Sequence, residues 1–353
     1  MKTLLMYEPG HVELTDLPTP EPAASEVLIK IVASGICTND VRDYLGDCNY
    51  SYPRIGGHEF AGVIERIGSA VDPKRFRPGQ SVVKYIIEDC KVCHYCRTGH
   101  ENICEEHPRS KIFHATDGIS GYCGFAEYVL AQADDIMVFE HERSFAKMAM
   151  TEPVACCINS IEQTNVKFGQ DVVVIGGGTM GLLHVMLLVR RGARVIVSEP
   201  QPARRELARK FGAAAAFDPT ACDAVARVRE LTDGRGADAV YNTAAHPAVA
   251  AQAVKMCAPC GTCVMFSSIH PREDVPIDAS ALHSFQITVT GAVSPTISAY
   301  YEAVQVIDKG IIDPSPLIDS TFKPTEFDQA IARAQEPDSY KVILAFGDEE
   351  ARS

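Results

Sequence analysis

Four cysteines stand close together in the chain, at Cys90, Cys93, Cys96 and Cys104, with gaps of two, two and seven residues between them. Such short gaps allow successive sulfurs to turn toward one centre, and four thiolates complete the tetrahedral shell that zinc prefers. A closed shell leaves no position for a substrate. The cluster therefore predicts a structural zinc site in a lobe of residues 90–104.

A second set of metal-ligand residue types lies upstream. Cys37 is followed, after twenty residues, by His58 and Glu59, and a further acidic candidate, Glu152, lies in the segment Thr151-Glu-Pro-Val154. Three protein ligands with one open position are typical of a catalytic zinc, because the open position can take a substrate oxygen. The alternative for this set is a buried thiol beside a histidine in a glycine-rich turn.

A glycine-rich motif, Gly176-x-Gly178-x-x-Gly181, follows the apolar run Asp171-Val-Val-Val-Ile175 and precedes a helical pattern that begins with Thr179 and Met180. The first glycine makes a tight turn, the second lets the backbone approach a pyrophosphate, and the third allows close packing of helix and strand. The N-terminus of the helix then faces the phosphates. The motif predicts a dinucleotide site.

The choice between the two nicotinamide dinucleotides depends on the end of the next strand. Glu199 stands there, 23 residues after Gly176. A carboxylate at this point accepts hydrogen bonds from the adenosine ribose and repels a 2′-phosphate, so it favours NAD over NADP. Arg204 is a second candidate cofactor contact, because an arginine can accept a 2′-phosphate; the alternative is a solvated position on a helix.

The elements that must position these residues differ along the chain. Residues 1–150 contain short alternating apolar runs separated by Gly and Pro, which predicts a β-rich domain. Residues 151–290 alternate strands with helices, which predicts a doubly wound parallel sheet. Residues 291–353 are expected to return to the first domain. The predicted fold class is α/β, with two domains in 353 residues.

Composition limits the possible partners and the compartment. A net charge of −13 argues against nucleic acid, since phosphate backbones require a basic face. No apolar run approaches the roughly 18 residues that cross a bilayer, so we expect no membrane association. The N-terminus lacks the features of a signal peptide. Thirteen cysteines in such a chain indicate a reducing compartment, so we expect a cytoplasmic protein.

Taken together, the motifs resemble those of the zinc-dependent medium-chain dehydrogenases, especially the polyol (sorbitol) and threonine dehydrogenase branch. The resemblance covers essentially the whole chain. It rests on Gly57-His58-Glu59, the four-cysteine lobe, Gly124-Phe-Ala-Glu-Tyr-Val129 and the glycine motif, in that order. It implies a GroES-like catalytic domain, a Rossmann coenzyme domain and an active site in the cleft between them.

The resemblance also implies roles for individual residues. Cys37, His58 and Glu59 would bind the catalytic zinc, with Glu152 either a fourth ligand or bonded to the zinc water, and the four-cysteine lobe would bind the structural zinc. The substrate hydroxyl would bind at the open position, and hydride would pass to NAD. Members of this branch are commonly tetramers, with some dimers, so a homo-oligomer is implied.

One position departs from the family pattern. Relatives have a Ser or Thr two residues after the cysteine ligand, where it relays the alkoxide proton, and here that residue is Asn39. An amide cannot pass a proton on as a hydroxyl can. Thr38 or a water chain past Glu152 could replace it, or the proton could take another route. Asp40 matches the family and could orient a zinc ligand.

The substrate is less well defined. The resemblance places Thr38, Tyr44, Phe113 and Thr116 near the cleft. Arg42 could bind a carboxylate, or it could be a surface residue. The leading prediction is an NAD-dependent dehydrogenase of a sugar alcohol, sugar acid or similar small polyol. The alternatives are an L-threonine dehydrogenase, a general alcohol or aldehyde dehydrogenase, and a non-catalytic sensor that binds nucleotide and zinc.

Overall fold

The computed structural model describes residues 1–106 and 119–346. The chain forms two compact units, one of residues 1–152 and 296–353 and the other of residues 153–295. The sequence boundaries were expected at residues 150 and 290. Within the described residues, no helix combines the length and the apolar character needed to cross a membrane.

The strands have these bounds: β1 Lys2–Glu8, β2 His11–Asp16, β3 Glu26–Ile36, β4 Glu59–Ile67, β5 Ser81–Lys84, β6 Tyr128–Gln132, β7 Ile136–Phe139, β8 Asp171–Ile175, β9 Arg194–Ser198, β10 Ala215–Phe217, β11 Ala237–Asn242, β12 Cys257–Met265, β13 Thr288–Gly291, β14 Ile318–Phe322 and β15 Lys341–Ala345. The helices have these: α1 Thr38–Tyr44, α2 His94–Arg97, α3 Phe145–Ala149, α4 Thr151–Glu162, α5 Thr179–Arg190, α6 Pro202–Lys210, α7 Ala224–Leu231, α8 Pro247–Lys255, α9 Ala279–Phe285, α10 Ile297–Asp308 and α11 Phe327–Ala334.

The first unit is built on a seven-stranded sheet. Its strand order is β14-β15-β3-β4-β5-β7, and β6 also pairs with β3. The long strand β3 therefore has β15 on one side and β4 on the other, both antiparallel to it. Apolar side chains of β3, β4 and α11 form the core of this unit. The C-terminal segment completes the sheet, because β14 and β15 belong to it.

The second unit is a six-stranded parallel sheet with the order β10-β9-β8-β11-β12-β13. Strand β8 is buried along its whole length, as expected for a strand covered by helices on both faces. The strand order reverses between β8 and β11, and ligands of such sheets bind at the carboxyl ends of the strands at this point. The predicted α/β class, with one β-rich domain and one domain with a doubly wound parallel sheet, is confirmed.

Candidate active site and metal centres

Cys37, His58 and Glu59 come together in the first unit, and their ligand atoms lie within 4.8 Å of one another. The sheet explains the meeting. Cys37 directly follows β3, and Glu59 opens β4 opposite Gly35 of β3. Antiparallel pairing thus places the end of one strand beside the start of the next, although about twenty residues separate them in sequence.

Asp40 connects the two segments that carry these ligands. Its Oδ2 accepts a hydrogen bond from the Cys37 N–H at 3.0 Å, and its Oδ1 accepts one from the Gly57 N–H at 3.1 Å. The same Oδ1 lies 3.8 Å from His58 Nδ1. Asp40 is buried, so these contacts are protected from water. The Asp40 carboxylate is not a ligand itself, but it fixes the spacing of the two segments that carry the ligands.

The chemistry of the three groups suits a divalent cation. Burial raises the pKa of the Cys37 thiol. Burial opposes a charge on His58, but the charges of Cys37 and Asp40 raise its pKa well above the usual value. A thiolate, an imidazole nitrogen and a carboxylate oxygen are zinc ligands, so the residues present fit a zinc ion with an open position.

Two more side chains belong to this neighbourhood. Glu152, at the start of α4, is buried and contributes to the raised pKa of His58, but it is not part of the three-residue set. The ring of Tyr122 lies against the His58 ring, with 5.2 Å between centroids. Sequence reasoning missed Tyr122. It stands between glycines in Gly121-Tyr-Cys-Gly124, and nothing in this short stretch indicates contact with a metal ligand.

Lys341 is a second residue that sequence reasoning missed. Its ammonium group forms a buried ion pair with Glu59 Oε2 and donates to the Ile36 carbonyl at 3.3 Å. Burial lowers the pKa of Lys341, but the charges of Glu59 and Cys37 more than offset this and raise it. A signal was present in the sequence, since Lys341 heads the fully buried strand Lys-Val-Ile-Leu-Ala. A lysine in such a strand requires a partner.

The four cysteines of the lobe also converge. Sγ–Sγ distances are 3.5 Å for Cys93–Cys96 and 3.9 Å for Cys90–Cys96 and Cys93–Cys104. Thiolates around one tetrahedral zinc are about 3.8 Å apart, given Zn–S bonds of about 2.3 Å. The Cys93 N–H points at Cys90 Sγ at 3.2 Å.

The protonation of the lobe also favours a cation. Hydrogen bonding from the Cys96 N–H lowers the pKa of Cys93 to about 6, whereas burial raises the pKa of Cys96. Backbone N–H donors alone therefore do not lower the pKa of every thiol in the lobe. A bound zinc ion would do so, because its positive charge stabilises all four thiolates.

The remaining predicted residues of the first unit are more dispersed. Thr38 is exposed on α1, and Arg42 is half-buried on the same helix, with Nη2 3.4 Å from the Asp47 carbonyl. Tyr44 packs edge-on against Phe327, with ring centroids 6.2 Å apart. That contact turns Tyr44 toward the core of the unit. Phe113 and Thr116 lie outside the described residues.

The glycine motif has the geometry of a phosphate-binding turn. Gly176 has φ +99°, and a Cβ on Gly181 would lie 2.0 Å from the Gly176 carbonyl oxygen. Only glycine allows this turn and this contact. Gly178 is the N-cap of helix α5, and because it has no side chain it makes no capping hydrogen bond. Thr179 and Met180 are the first residues of the helix. The residues present fit a dinucleotide pyrophosphate at the helix N-terminus.

Glu199 and Arg204 flank this turn. Glu199 is buried, and its carboxylate accepts from the Gly177 N–H at 2.6 Å and from the Gln201 N–H at 2.7 Å. Arg204 is half-buried, and its Nη1 lies 3.7 Å from the position of a Cβ on Gly178. Both side chains therefore face the glycine turn rather than open solvent.

Comparison with known proteins agrees with this geometry. Residues 23–141 match the alcohol dehydrogenase GroES-like domain, and residues 179–309 match the zinc-binding dehydrogenase family. The chain is 27% identical to a sorbitol dehydrogenase from Bacillus subtilis, covering 95% of this chain and 93% of the relative. It is 30% identical to an L-threonine 3-dehydrogenase from Pyrococcus horikoshii, covering 92% of each.

A solved structure is also similar over nearly the whole length. A protein described as a zinc-binding dehydrogenase from Sinorhizobium meliloti, bound to NADP, superposes with a TM-score of 0.89 at 27% identity, covering 98% of each chain. The sequence resemblance is thereby confirmed. The chain belongs to the zinc-dependent medium-chain dehydrogenases, a family of oxidoreductases that use zinc and a nicotinamide cofactor.

Proposed function

We propose that this enzyme oxidises a secondary alcohol group of a sugar alcohol, sugar acid or similar small polyol with NAD. The observation that carries the proposal is the convergence of Cys37, His58 and Glu59 within 4.8 Å, with Asp40 supporting two of the ligand-bearing segments. The similarity to a sorbitol dehydrogenase over 95% of the chain supports a polyol substrate.

We assign zinc binding at the reaction centre to Cys37, His58 and Glu59. Glu152 is close enough for its charge to contribute to the raised pKa of His58. Zinc bound there would polarise the substrate hydroxyl, and the nicotinamide would accept the hydride. The chain's own contribution is to hold the ligands. Asp40 sets the spacing of their backbones, and Lys341 fixes one oxygen of Glu59. Cys90, Cys93, Cys96 and Cys104 would hold a second, structural zinc.

The preference for NAD is supported by Glu199. Its buried carboxylate lies against the Gly177 N–H, beside the turn that would hold the pyrophosphate. A 2′-phosphate brought to this edge would meet a fixed negative charge. The Sinorhizobium meliloti relative was solved bound to NADP, and the ratio of kcat/KM for NAD and NADP tests whether this chain differs from it.

A second substrate class is supported by the similarity to an L-threonine 3-dehydrogenase, at 30% identity over 92% of the chain. Threonine also presents a secondary hydroxyl, but it adds an ammonium and a carboxylate. A binding site for it needs two charged contacts that a neutral polyol does not need. Dependence of turnover on the amine would separate the two classes.

The test is NADH formation with a panel of neutral polyols, aldonic acids, threonine and simple alcohols, each with and without a zinc chelator. We expect chelator-sensitive turnover with one group of substrates. Cys37→Ser should abolish turnover while NAD affinity stays near that of the parent, and Cys222→Ser, an exposed thiol, serves as its control. Turnover that survives Cys37→Ser would contradict the zinc assignment.

We also propose a homo-oligomer, either a dimer or a tetramer. Strand β13 lies at one edge of the six-stranded sheet, and Ile277, Phe285 and Val293 of the same unit are 39%, 51% and 49% exposed. An edge strand flanked by exposed apolar side chains is suited to pairing with a second copy. Val293→Asp should shift the mass in size-exclusion chromatography with light scattering toward the monomer. A parent chain that is itself monomeric would refute this.

We further propose a reducing, cytoplasmic location, because the chain is rich in cysteine, with thirteen, and five of them are assigned to zinc as thiolates. Fractionation of the expressing cells tests the location. Recovery of the chain from an exported fraction would contradict it.

A further inference from the structure

Oxidation of an alcohol to a ketone releases one hydride and one proton. The cofactor takes the hydride, so the proton of the substrate hydroxyl must reach solvent through the protein or through water. Position 39, two residues after Cys37, carries an amide, and an amide cannot accept a proton on one side while releasing one on the other. A hydroxyl in contact with this position could do so.

Tyr50 provides such a hydroxyl. Asn39 Nδ2 donates a hydrogen bond to the Tyr50 phenol oxygen at 3.2 Å, and Cys48 Sγ lies 3.8 Å from Asn39 Oδ1 on the other side of the amide. Both ends of the amide are therefore engaged, which fixes its orientation. Because Asn39 donates to the phenol oxygen, the O–H of Tyr50 is directed elsewhere.

The ring of Tyr50 lies beneath a buried cation. The Arg54 guanidinium carbon is 3.8 Å from the ring centroid, and Arg54 Nη1 forms a buried ion pair with Asp43 at 3.2 Å. Arg54 is only 5% exposed, so it cannot leave this position for solvent without losing the pair. A cation over the face of an aromatic ring is attracted to it, so Arg54 holds the ring of Tyr50 in place.

Tyr50 lies partly in contact with solvent and partly against the segment that follows Cys37. It is half-buried, whereas Asn39 beside it lies on α1, whose N-cap is Cys37. Tyr50 is also near enough to contribute, after burial, to the raised pKa of Tyr122, whose ring contacts His58. The phenol is therefore close both to Asn39, on the helix that Cys37 caps, and to Tyr122, which contacts His58.

We propose that Tyr50 relays the substrate proton, with Asn39 as the residue that positions its phenol. As the substrate O–H bond breaks, its proton would pass to the Tyr50 oxygen, directly or through one water. The original phenol proton would pass at the same time to solvent. One O–H bond forms and one breaks at Tyr50, so it ends neutral. This role rests on the proposed zinc-dependent alcohol oxidation.

The experiment compares Tyr50→Phe with Tyr52→Phe on a substrate that the panel identifies. Tyr52 is a matched control in the same segment, because its hydroxyl donates to Asp43 at 2.7 Å rather than meeting Asn39. We expect Tyr50→Phe to lower kcat on the order of 100-fold, at the low end of what a positioned proton-transfer group contributes. Tyr52→Phe should stay within about threefold of the parent, since its loss is mainly one hydrogen bond of stability.

Further readouts separate a relay from a structural role. Added imidazole should accelerate Tyr50→Phe but leave the parent unchanged, because a small base can replace a missing proton acceptor. Introducing Asn39→Ser into Tyr50→Phe should recover part of the lost rate, because it returns a hydroxyl beside the ligand loop. Zinc content and NAD affinity of Tyr50→Phe, measured without substrate, should equal those of the parent.

The proposal is overturned if Tyr50→Phe keeps the parent kcat and its pH profile, or if it loses zinc or NAD binding. It is also overturned if Thr38→Val, at the exposed hydroxyl of α1, shows the rate loss and the imidazole rescue instead. Failure of the zinc mechanism would look different. In that case Cys37→Ser would retain turnover, whereas an inactive Cys37→Ser beside an unaffected Tyr50→Phe would reject the relay alone.

Discussion

Lys341 and Glu59 meet across strand β3, although 282 residues separate them in sequence. Glu59 is on β4 and Lys341 on β15, which pair with opposite edges of β3. Both strands pair with β3 at Gly35, so the two side chains meet over this residue. A Cβ on Gly35 would lie 2.3 Å from Glu59 Oε2 and 3.2 Å from Lys341 Cδ. The absence of a side chain at Gly35 thus makes room for a buried charge pair behind the ligand cluster.

We predict that Lys341→Met lowers the free energy of unfolding of metal-stripped protein by about 3–5 kcal/mol, because it leaves the Glu59 carboxylate buried without its partner. Lys2→Met removes a lysine from an exposed pair with Asp16 and should cost less than about 1 kcal/mol. Urea unfolding of both variants measures the difference.

Zinc should reduce the effect of Lys341→Met, since the ion would supply positive charge to the same carboxylate. Unfolding of the zinc-loaded variant therefore tests the ligand role of Glu59. If zinc raises the free energy of unfolding of parent and variant by the same amount, the ion does not replace the charge of Lys341 beside Glu59. That result would contradict the role of Glu59 as a zinc ligand.

Cys96→Ser should lower stability more than activity. The closed four-thiolate site contributes folding energy, so we expect a loss of about 3 kcal/mol, or roughly 6–12 °C in Tm for a domain of this size. Zinc content should fall from two ions per chain toward one. Cys222→Ser, at an exposed thiol, is the control and should change neither quantity. An unaltered Tm for Cys96→Ser would show that the lobe does not hold a structural metal.

Glu199→Ala should weaken the preference for NAD over NADP on the order of tenfold, equivalent to about 1.4 kcal/mol, because it removes the buried negative charge beside the glycine turn. The ratio of kcat/KM for the two cofactors measures the change. Glu206→Ala, at an exposed acid of the next helix, is the control. Equal ratios in both variants would mean that Glu199 does not select the cofactor.

Asp135 should make stability depend on pH near neutrality. Burial raises its pKa from 3.8 to about 6, with a smaller opposing effect of Lys84. The folded state therefore holds this proton more tightly than the unfolded state. The resulting stabilisation is complete below about pH 4 and is lost as the pH rises through about 6.

Asp135→Asn removes this titration. We expect the variant to gain roughly 1.4 kcal/mol relative to the parent between pH 5 and pH 7.5, since the folded-state pKa of about 6 lies about one unit above pH 5 and one pKa unit is worth about 1.4 kcal/mol. Unfolding curves at both pH values measure it. A difference between variant and parent that is constant with pH would contradict the raised pKa.

Parts of both sites could be predicted because their determinants are local. The four cysteines lie within one short lobe, where backbone N–H groups such as that of Cys93 already point at neighbouring sulfurs. The glycine turn depends on Gly176 and Gly181, five residues apart, and on the strand and helix that flank it. Spacing alone therefore indicates what these segments bind, whatever the rest of the fold does.

Other contacts were decided only by the tertiary structure. Lys341 reaches Glu59 because β15 and β4 lie on either side of β3, and strand order is a property of the whole sheet. Tyr50 reaches Asn39 because a loop folds back onto α1, where Arg54 and Asp43 hold it. A lysine, a tyrosine or an asparagine can pair with many residue types, so the sequence alone does not identify the partner. The fold determines which groups are buried together, and burial makes an unpaired charge or donor costly in free energy.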